Sequence, residues 1–206
     1  MISDRYGCIF VHIPKCGGSS IEAVLWPGSR TVAELWMGFV DEFHNRHQTG
    51  GLQHLHAAQI RAEVGKQRFD AYLKFAFVRN PFDRIVSQFA SMRERPDLRA
   101  FVGMEEDASF SRYLDLIEQR THVQWEPQTV FLDDDDGTEL VDFIGRYENF
   151  EADAKHVFAR LGVDVGAIPH VMRGERGRYR EYYDERTRAA VARLYASDLE
   201  RFGYRF

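Results

Sequence analysis

The run Cys8-Ile9-Phe10-Val11-His12-Ile13-Pro14-Lys15-Cys16-Gly17-Gly18-Ser19-Ser20 constrains this chain more than any other stretch. Apolar and β-branched residues stop at a glycine pair, and a helix-compatible segment follows, so the local reading is strand, tight turn, helix start. Gly17 and Gly18 lack the Cβ atoms that would hold an anion away from the backbone, and Ser19 or Ser20 is placed to cap the helix, expected over about Ser19 to Trp26. A helix start reached through such a turn aims N–H groups and the positive dipole end at one point, which suits a phosphate-like anion. Lys15 adds a mobile charge before the glycines, within reach of a phosphate oxygen or of the atom joining phosphate to a leaving group. The order differs from a nucleoside triphosphate P-loop, G-x-x-x-x-G-K-[ST], in which Lys follows the second glycine.

A second strand end repeats the architecture. Tyr72 to Val78 is apolar and runs into Arg79-Asn80-Pro81, where Pro81 suits a first helical turn. Ile85, Val86 and Phe89 supply an apolar face at helical spacing, and the helix is expected to continue to Arg95. Arg79 at the strand end and Ser87 two turns later are spaced to converge on one anion. Two such sites at strand ends predict a parallel α/β sheet with its ligand in the crevice beyond the strand C-termini. Arg173-Gly174-Glu175-Arg176-Gly177-Arg178 is a glycine-punctuated basic loop, readable as a solvated loop or as a lid over an anion.

Elsewhere the pattern predicts a helix over Ala57 to Val64 ended by Gly65, and another marked by Phe110, Tyr113, Leu114 and Ile117. Val130 to Leu132 and Leu140 to Ile144 flank the acidic run Asp133 to Asp136 and Gly137 and read as a hairpin with an acidic tip. Asn149 is expected to cap a helix through Leu161, and Asp184 to begin the last one. Pro27 to Leu52 is irregular, with Trp36, Phe39 and Phe43 as scattered aromatics available to cover a site.

With 206 residues and 44% hydrophobic content the chain can bury one sizeable core, so residues 1–206 are expected to form one domain. A net charge of −5 argues against general nucleic-acid binding and makes the arginine-rich pieces local anion sites. No apolar run approaches the ~18 residues of a membrane-spanning helix, and the first residues lack the features of a signal peptide. Cys8 and Cys16 are the only cysteines, and no Asn-x-Ser/Thr site is present, which fits a reducing compartment; a cytoplasmic location is expected. Cys16, at a helix start, is expected to have a lowered thiol pKa. It lacks a phosphatase-like Arg partner because Glu22 stands at that position. His44, His47, His54 and His56 form a cluster whose spacing matches no zinc signature, so no metal is expected. His12, at the first strand end, reads as packing beneath the turn. His122, Trp125 and Gln128 form a polar and aromatic segment suited to lining a sugar pocket, with core packing of Trp125 an open alternative.

The three motifs together resemble the sulfotransferase family that uses 3′-phosphoadenosine 5′-phosphosulfate (PAPS), whose first motif is written P-K-[TSC]-G-[GT]-[ST]-[ST]. His12-Ile13-Pro14-Lys15-x-Gly17-Gly18-Ser19-Ser20, Phe77-x-Arg79-Asn80-Pro81-x-x-Arg84 and Gly145-Arg146-Tyr147-Glu148-Asn149-Phe150 are similar to the carbohydrate-type branch, which includes glycosaminoglycan sulfotransferases and short bacterial relatives. The resemblance spans the whole chain. It implies a P-loop-containing, nucleotide-hydrolase-like fold with a central parallel sheet flanked by helices. It also implies transfer of a sulfuryl group from PAPS to a carbohydrate or glycoconjugate hydroxyl, leaving 3′-phosphoadenosine 5′-phosphate (PAP), without a metal. By resemblance, Lys15, Cys16, Gly17, Gly18, Ser19 and Ser20 cradle the 5′-phosphosulfate, and Arg79, Ser87 and Arg173 hold the 3′-phosphate. A catalytic base is implied between cradle and second strand, with His54 favoured and His56 second; relatives more often carry Ser or Thr at the latter position. Two other readings stay open: a small-molecule kinase, and a PAP-binding module without a base.

Overall fold

Apolar runs alternating with amphipathic stretches produce a mixed α/β molecule. The structure, a computed structural model, describes residues 1–27, 54–169 and 177–206. Among these, β1 (Ile2–Ser3), β2 (Cys8–Val11), β3 (Leu73–Val78) and β4 (Phe143–Arg146) form one sheet in chain order. β1 is antiparallel to β2, while β2, β3 and β4 are mutually parallel, with Phe10 opposite Phe75 and Ala76 opposite Ile144. All of β2 is buried, and all of β3 after its first residue, as expected of parallel strands covered on both faces. β4 approaches closely because Gly145 lacks a Cβ, which would stand 2.5 Å from Phe77 Cε1.

Helices follow the parallel strands: α1 (Gly18–Leu25) after β2, α4 (Pro81–Met92) after β3 and α7 (Phe150–Arg160) after β4. Between β2 and β3 stand α2 (Ala57–Val64) and α3 (Lys66–Ala71). α5 (Pro96–Val102), α6 (Phe110–Ile117), α8 (Glu185–Leu194) and α9 (Ala196–Phe202) complete the described helices. Two apolar bodies result. One packs the sheet against α1 and α7 through Phe10, Ile21, Phe75, Phe77 and Phe158. The other packs α4, α6 and α8 through Phe89, Phe110, Tyr113 and Val191. α4 carries the chain from the first body into the second.

α2 ends where expected, at Gly65 with φ 81°. Asp184 caps α8, accepting from the Thr187 N–H while its own N–H donates to Thr187 Oγ1. Two expected elements differ. The helix from Pro81 stops at Met92, because Pro96 opens α5 and biases Arg95 away from helical backbone (ψ 82°). The expected hairpin is a tight turn with one bridge, Asp133 to Glu139; residues Thr129–Phe131 form a 3-10 turn and Phe143–Arg146 joins β3 in parallel. The turn's acidic tip is held by Arg61 on Asp134, and by Arg201 on Asp133 (2.5 Å) and Glu139 (2.6 Å). Among the described residues no helix is long and apolar enough to cross a membrane.

Candidate active site

At the end of β2 the backbone alternates in hand. Lys15 has φ 66°, the only positive value at a described non-glycine residue, and after Cys16 the chain is left-handed again at Gly17 (φ 87°). Such alternation turns successive N–H groups toward one concavity, and α1 then adds its own first turn. The α1 cap is Gly17 and the helix begins at Gly18, so Ser19 and Ser20 lie inside the helix rather than at its cap. Glycine takes the left-handed conformation more readily than serine, so the helix starts one residue earlier than expected.

The glycines themselves have a different cause from the one the sequence suggests. A Cβ on Gly18 would stand 1.9 Å from His12 Nε2, and one on Gly17 would stand 2.7 Å from Phe150 Cε2. Both absences let the turn settle onto side chains beneath it. Lys15, Gly17 and Ser19 remain half-buried, while Cys16 is buried and its thiol donates to Gln128 Oε1 at 3.3 Å. Burial pushes that thiol up to about 12, against the lowering expected at a helix start. Cys16 therefore faces the interior, and only its main chain belongs to the cradle.

The end of β3 is built from side chains. Arg79 is buried; its Nε and Nη2 donate to Asp83 Oδ2 at 2.7 and 2.6 Å, and Nη1 donates to the Lys15 carbonyl at 3.0 Å. Its guanidinium stacks on Tyr147 at 4.0 Å. One residue thus balances a carboxylate and holds the left-handed turn of the other strand end. Asn80 caps α4 by accepting from the Phe82 N–H, and its own N–H donates to Glu148 Oε1 at 2.6 Å. Tyr204 donates to the other Glu148 oxygen, which makes Glu148 a clamp on the C-terminal segment. Ser87 is half-buried, one turn beyond Asp83 on the same face of α4.

The segment read as an acceptor pocket lies in the interior. Gln128 is 0% exposed: its Oε1 accepts from the Arg79 N–H at 2.8 Å, and its Nε2 donates to the Arg79 carbonyl and to Asp198. With both amide ends engaged, Gln128 is a structural junction, which corrects its expected contact with acceptor. His122 (3% exposed) stacks on Trp125 (6%) at 4.7 Å, and Trp125 Nε1 donates to the Arg120 carbonyl. These rings also pack inward, under Tyr195 at the junction of α8 and α9, whose hydroxyl donates to the Trp125 carbonyl at 2.7 Å.

The two histidines favoured as bases have different surroundings. His54 Nδ1 lies 2.8 Å from the His12 carbonyl; a carbonyl can only accept, so Nδ1 carries the proton and Nε2 the lone pair. Burial, and then the neighbouring His12, hold its pKa well below 6.5, so the ring is neutral at pH 7. His56 instead caps α2 in a reciprocal box with Gln59, and its Nε2 lies 2.9 Å from Glu126 Oε2. Its Nε2 is thus taken up by a carboxylate. Two residues to which the sequence reading gave no role complete the frame, although Arg84 stands in the second motif. Glu126 partners His56, and buried Arg84 donates to the Pro14 carbonyl (3.0 Å) and to the Glu126 carbonyl (2.7 Å), tying the cradle to that segment. A charge among the apolar residues of α4 was the available signal for Arg84; nothing local marks Glu126. Arg173, His44 and His47 lie outside the described residues, but the turn that follows the basic loop is anchored on α4, where Tyr183 donates to the Phe82 carbonyl at 2.8 Å.

A family model described as "Sulfotransferase family" matches residues 1–205. The chain is 29% identical to human carbohydrate sulfotransferase 14, over 83% of this chain and 47% of that protein. It is 22% identical to carbohydrate sulfotransferase 10 of Xenopus laevis, over 99% of this chain and 66% of that protein. An uncharacterized protein of Archaeoglobus fulgidus is 30% identical over 52% of this chain and 82% of its own length. No solved structure matches. The chain spans about half to two thirds of the length of the two carbohydrate sulfotransferases. With the family model covering nearly every residue, from the turn at Lys15 to the C-terminal helices, the chain belongs to the sulfotransferase family.

Proposed function

We propose that this chain transfers a sulfuryl group from PAPS to a hydroxyl of a carbohydrate or glycoconjugate, on a P-loop-type sulfotransferase fold and in the cytoplasm. The observation that carries the reading is the left-handed turn at Lys15 and Gly17, held by Arg79 from the next strand, in a chain matched by the family along its length. A doubly anionic nucleotide suits this arrangement, because a main-chain cradle and the Arg79–Ser87 face stand at adjacent parallel strand ends.

PAPS, when bound, supplies the sulfuryl group and a phosphate leaving group. Gly17, Gly18, Ser19 and Ser20, with the main chain of Cys16, hold the 5′-phosphosulfate. Lys15 balances the negative charge that gathers on the departing oxygen. Arg79 and Ser87, joined by Arg173, hold the 3′-phosphate, with Arg79 sharing its donors between that anion and Asp83. His54 accepts the acceptor hydroxyl's proton at Nε2, the nitrogen left with a lone pair; His56, engaged at Nε2, orients Glu126 and stands at the start of α2.

Calorimetric binding of PAP beside ATP and ADP, on wild type and Arg79→Ala, tests the nucleotide site. Micromolar PAP binding lost in the variant is expected; preference for ATP with magnesium would replace the reading with a kinase. A screen with labelled PAPS and carbohydrate acceptors then tests transfer. His54→Ala is expected to abolish transfer while PAP binding stays within about twofold. Tight PAP binding with no transfer to any acceptor would leave a binding module.

A further inference from the structure

One buried ionisable cluster near the cradle centres on a residue with no role in the scheme above. His12 is 7% exposed, Glu22 4% and His54 8%. Four neighbours fix the His12 ring. It stacks on Phe10 at 5.1 Å, meets the His54 ring edge-on at 4.6 Å, and has Nδ1 2.9 Å from Glu22 Oε1. Its Nε2 lies under Gly18, where it fills the space a Cβ would need. Gly18 and Glu22 stand one turn apart on α1, so one helix meets the ring at two points: from above at its first residue, and through a carboxylate at ion-pair distance from Nδ1, without hydrogen-bond geometry. The main chain of the same residue accepts the His54 Nδ1–H.

We infer that His12 is a positioning residue that couples the two halves of the site: its ring, set beside Glu22, supports the cradle at Gly18, its carbonyl sets the tautomer of His54, and its ring edge helps to bury His54 in the uncharged form. Where a cradle is built on main chain, the orientation of the α1 N-terminus depends on what lies beneath its first residue, and here that is the His12 ring. An imidazole also offers its Nε2 edge at the closest approach, where a longer ring would collide with Gly18. On the other side, a base must keep its lone pair toward the acceptor, and the His12 carbonyl removes the alternative tautomer. Burial first, and then the neighbouring His12 and the Arg84 guanidinium, disfavour a positive charge on His54; the nearby Met1 amine is itself pushed down to about 5 by burial. His12 is the one bonded to His54 and in ring contact with it.

This inference rests on the proposed function, and two variants separate its parts. His12→Asn keeps an amide near Glu22, but leaves the space under Gly18 empty and removes the ring beside His54. His12→Gln extends an amide to the former Nε2 position and restores support without restoring the ring. Nitrogen-15 spectra of the histidine rings and calorimetry with PAP are recorded for wild type and both variants. In wild type, His54 is expected as the Nδ1–H tautomer, titrating below 6.5. Both variants are expected to raise the His54 midpoint by at least ~0.5 pH unit. PAP affinity is expected to fall about tenfold in His12→Asn and to recover to within about threefold of wild type in His12→Gln. An Nε2–H tautomer of His54 in wild type, an unmoved midpoint in both variants, or wild-type PAP affinity in His12→Asn would each overturn the inference. If wild type binds no PAP, the sulfotransferase reading fails, and the His54 tautomer and midpoint still decide the coupling.

Discussion

The ends of β2 and β3 both send the chain from a buried parallel strand into a helix, yet the first turns through Lys15 and Gly17 in left-handed conformation and the second through Asn80 and Pro81. At β2 the proposed binding groups are peptide N–H groups, fixed once the fold is formed and carrying no countercharge. At β3 the proposed binding group is a guanidinium that already balances Asp83 and holds the Lys15 carbonyl. A backbone site can be ready before its ligand arrives, whereas a charged side chain in a buried setting needs a partner in the absence of ligand. The protein joins the two solutions by making Arg79 the brace of the turn next door.

The largest expected effect breaks the β2 solution. Gly18→Ala places a Cβ against His12 and is expected to cost ~3 kcal/mol or more in urea denaturation and to remove PAP binding; wild-type stability would show that the turn does not rest on His12. Next comes the β3 solution. Arg79→Lys keeps the charge but cannot serve Asp83 and the Lys15 carbonyl together, so a loss of about 2 kcal/mol and of at least tenfold in PAP affinity is expected. If Lys substitutes fully, charge alone matters at that strand end.

A third prediction concerns pH. The unfolded His54 takes up a proton near 6.5, while the folded one resists it, so the unfolded state binds more protons below that pH and stability falls on acidification. The loss begins as pH drops through 6.5 and approaches ~1.4 kcal/mol per pH unit from this group. Denaturation at pH 7.5 and 5.5 is expected to show a steeper fall for wild type than for His54→Gln; equal falls would remove His54 as the cause. The smallest effect is expected at Cys16. Cys16→Ser keeps a donor toward Gln128 and is expected to change stability by no more than ~0.5 kcal/mol and PAP affinity by no more than about twofold. In wild type, a thiol reagent at pH 8 is expected to leave Cys16 unmodified until the protein unfolds, because its thiol titrates at about 12.

Features written locally were legible in the sequence. Gly65 at the end of α2, Pro81 at the start of α4 and the Asp184 cap of α8 depend on a few neighbouring residues, and the strand ends with Lys15 and Arg79 followed from the same signals. Features that join distant segments were not. His122, Trp125 and Gln128 have the composition of a ligand-lining loop, and only the packing of α8 and α9 turns them inward. Gly18 was read correctly as a required glycine, but for the anion rather than for His12, because nothing in the sequence says which side of the turn is occupied. Arg84 and Asp198 are buried charges whose partners lie far along the chain, and no periodicity encodes such pairs.

Gln128 meets Arg79 as a neighbouring strand would, taking its N–H and giving to its carbonyl, while Asp198 in α9 accepts from the Gln128 amide, the Gln128 N–H and the Thr129 N–H. The end of β3 is therefore completed by a residue near the far end of this sequence. During synthesis, β2, α1, β3 and α4 emerge long before α9 does, so the nascent chain carries both recognisable motifs with the β3 junction still open. Nucleotide capture would then report completed folding, and a ribosome stalled short of Asp198 would display the motifs without the completed site.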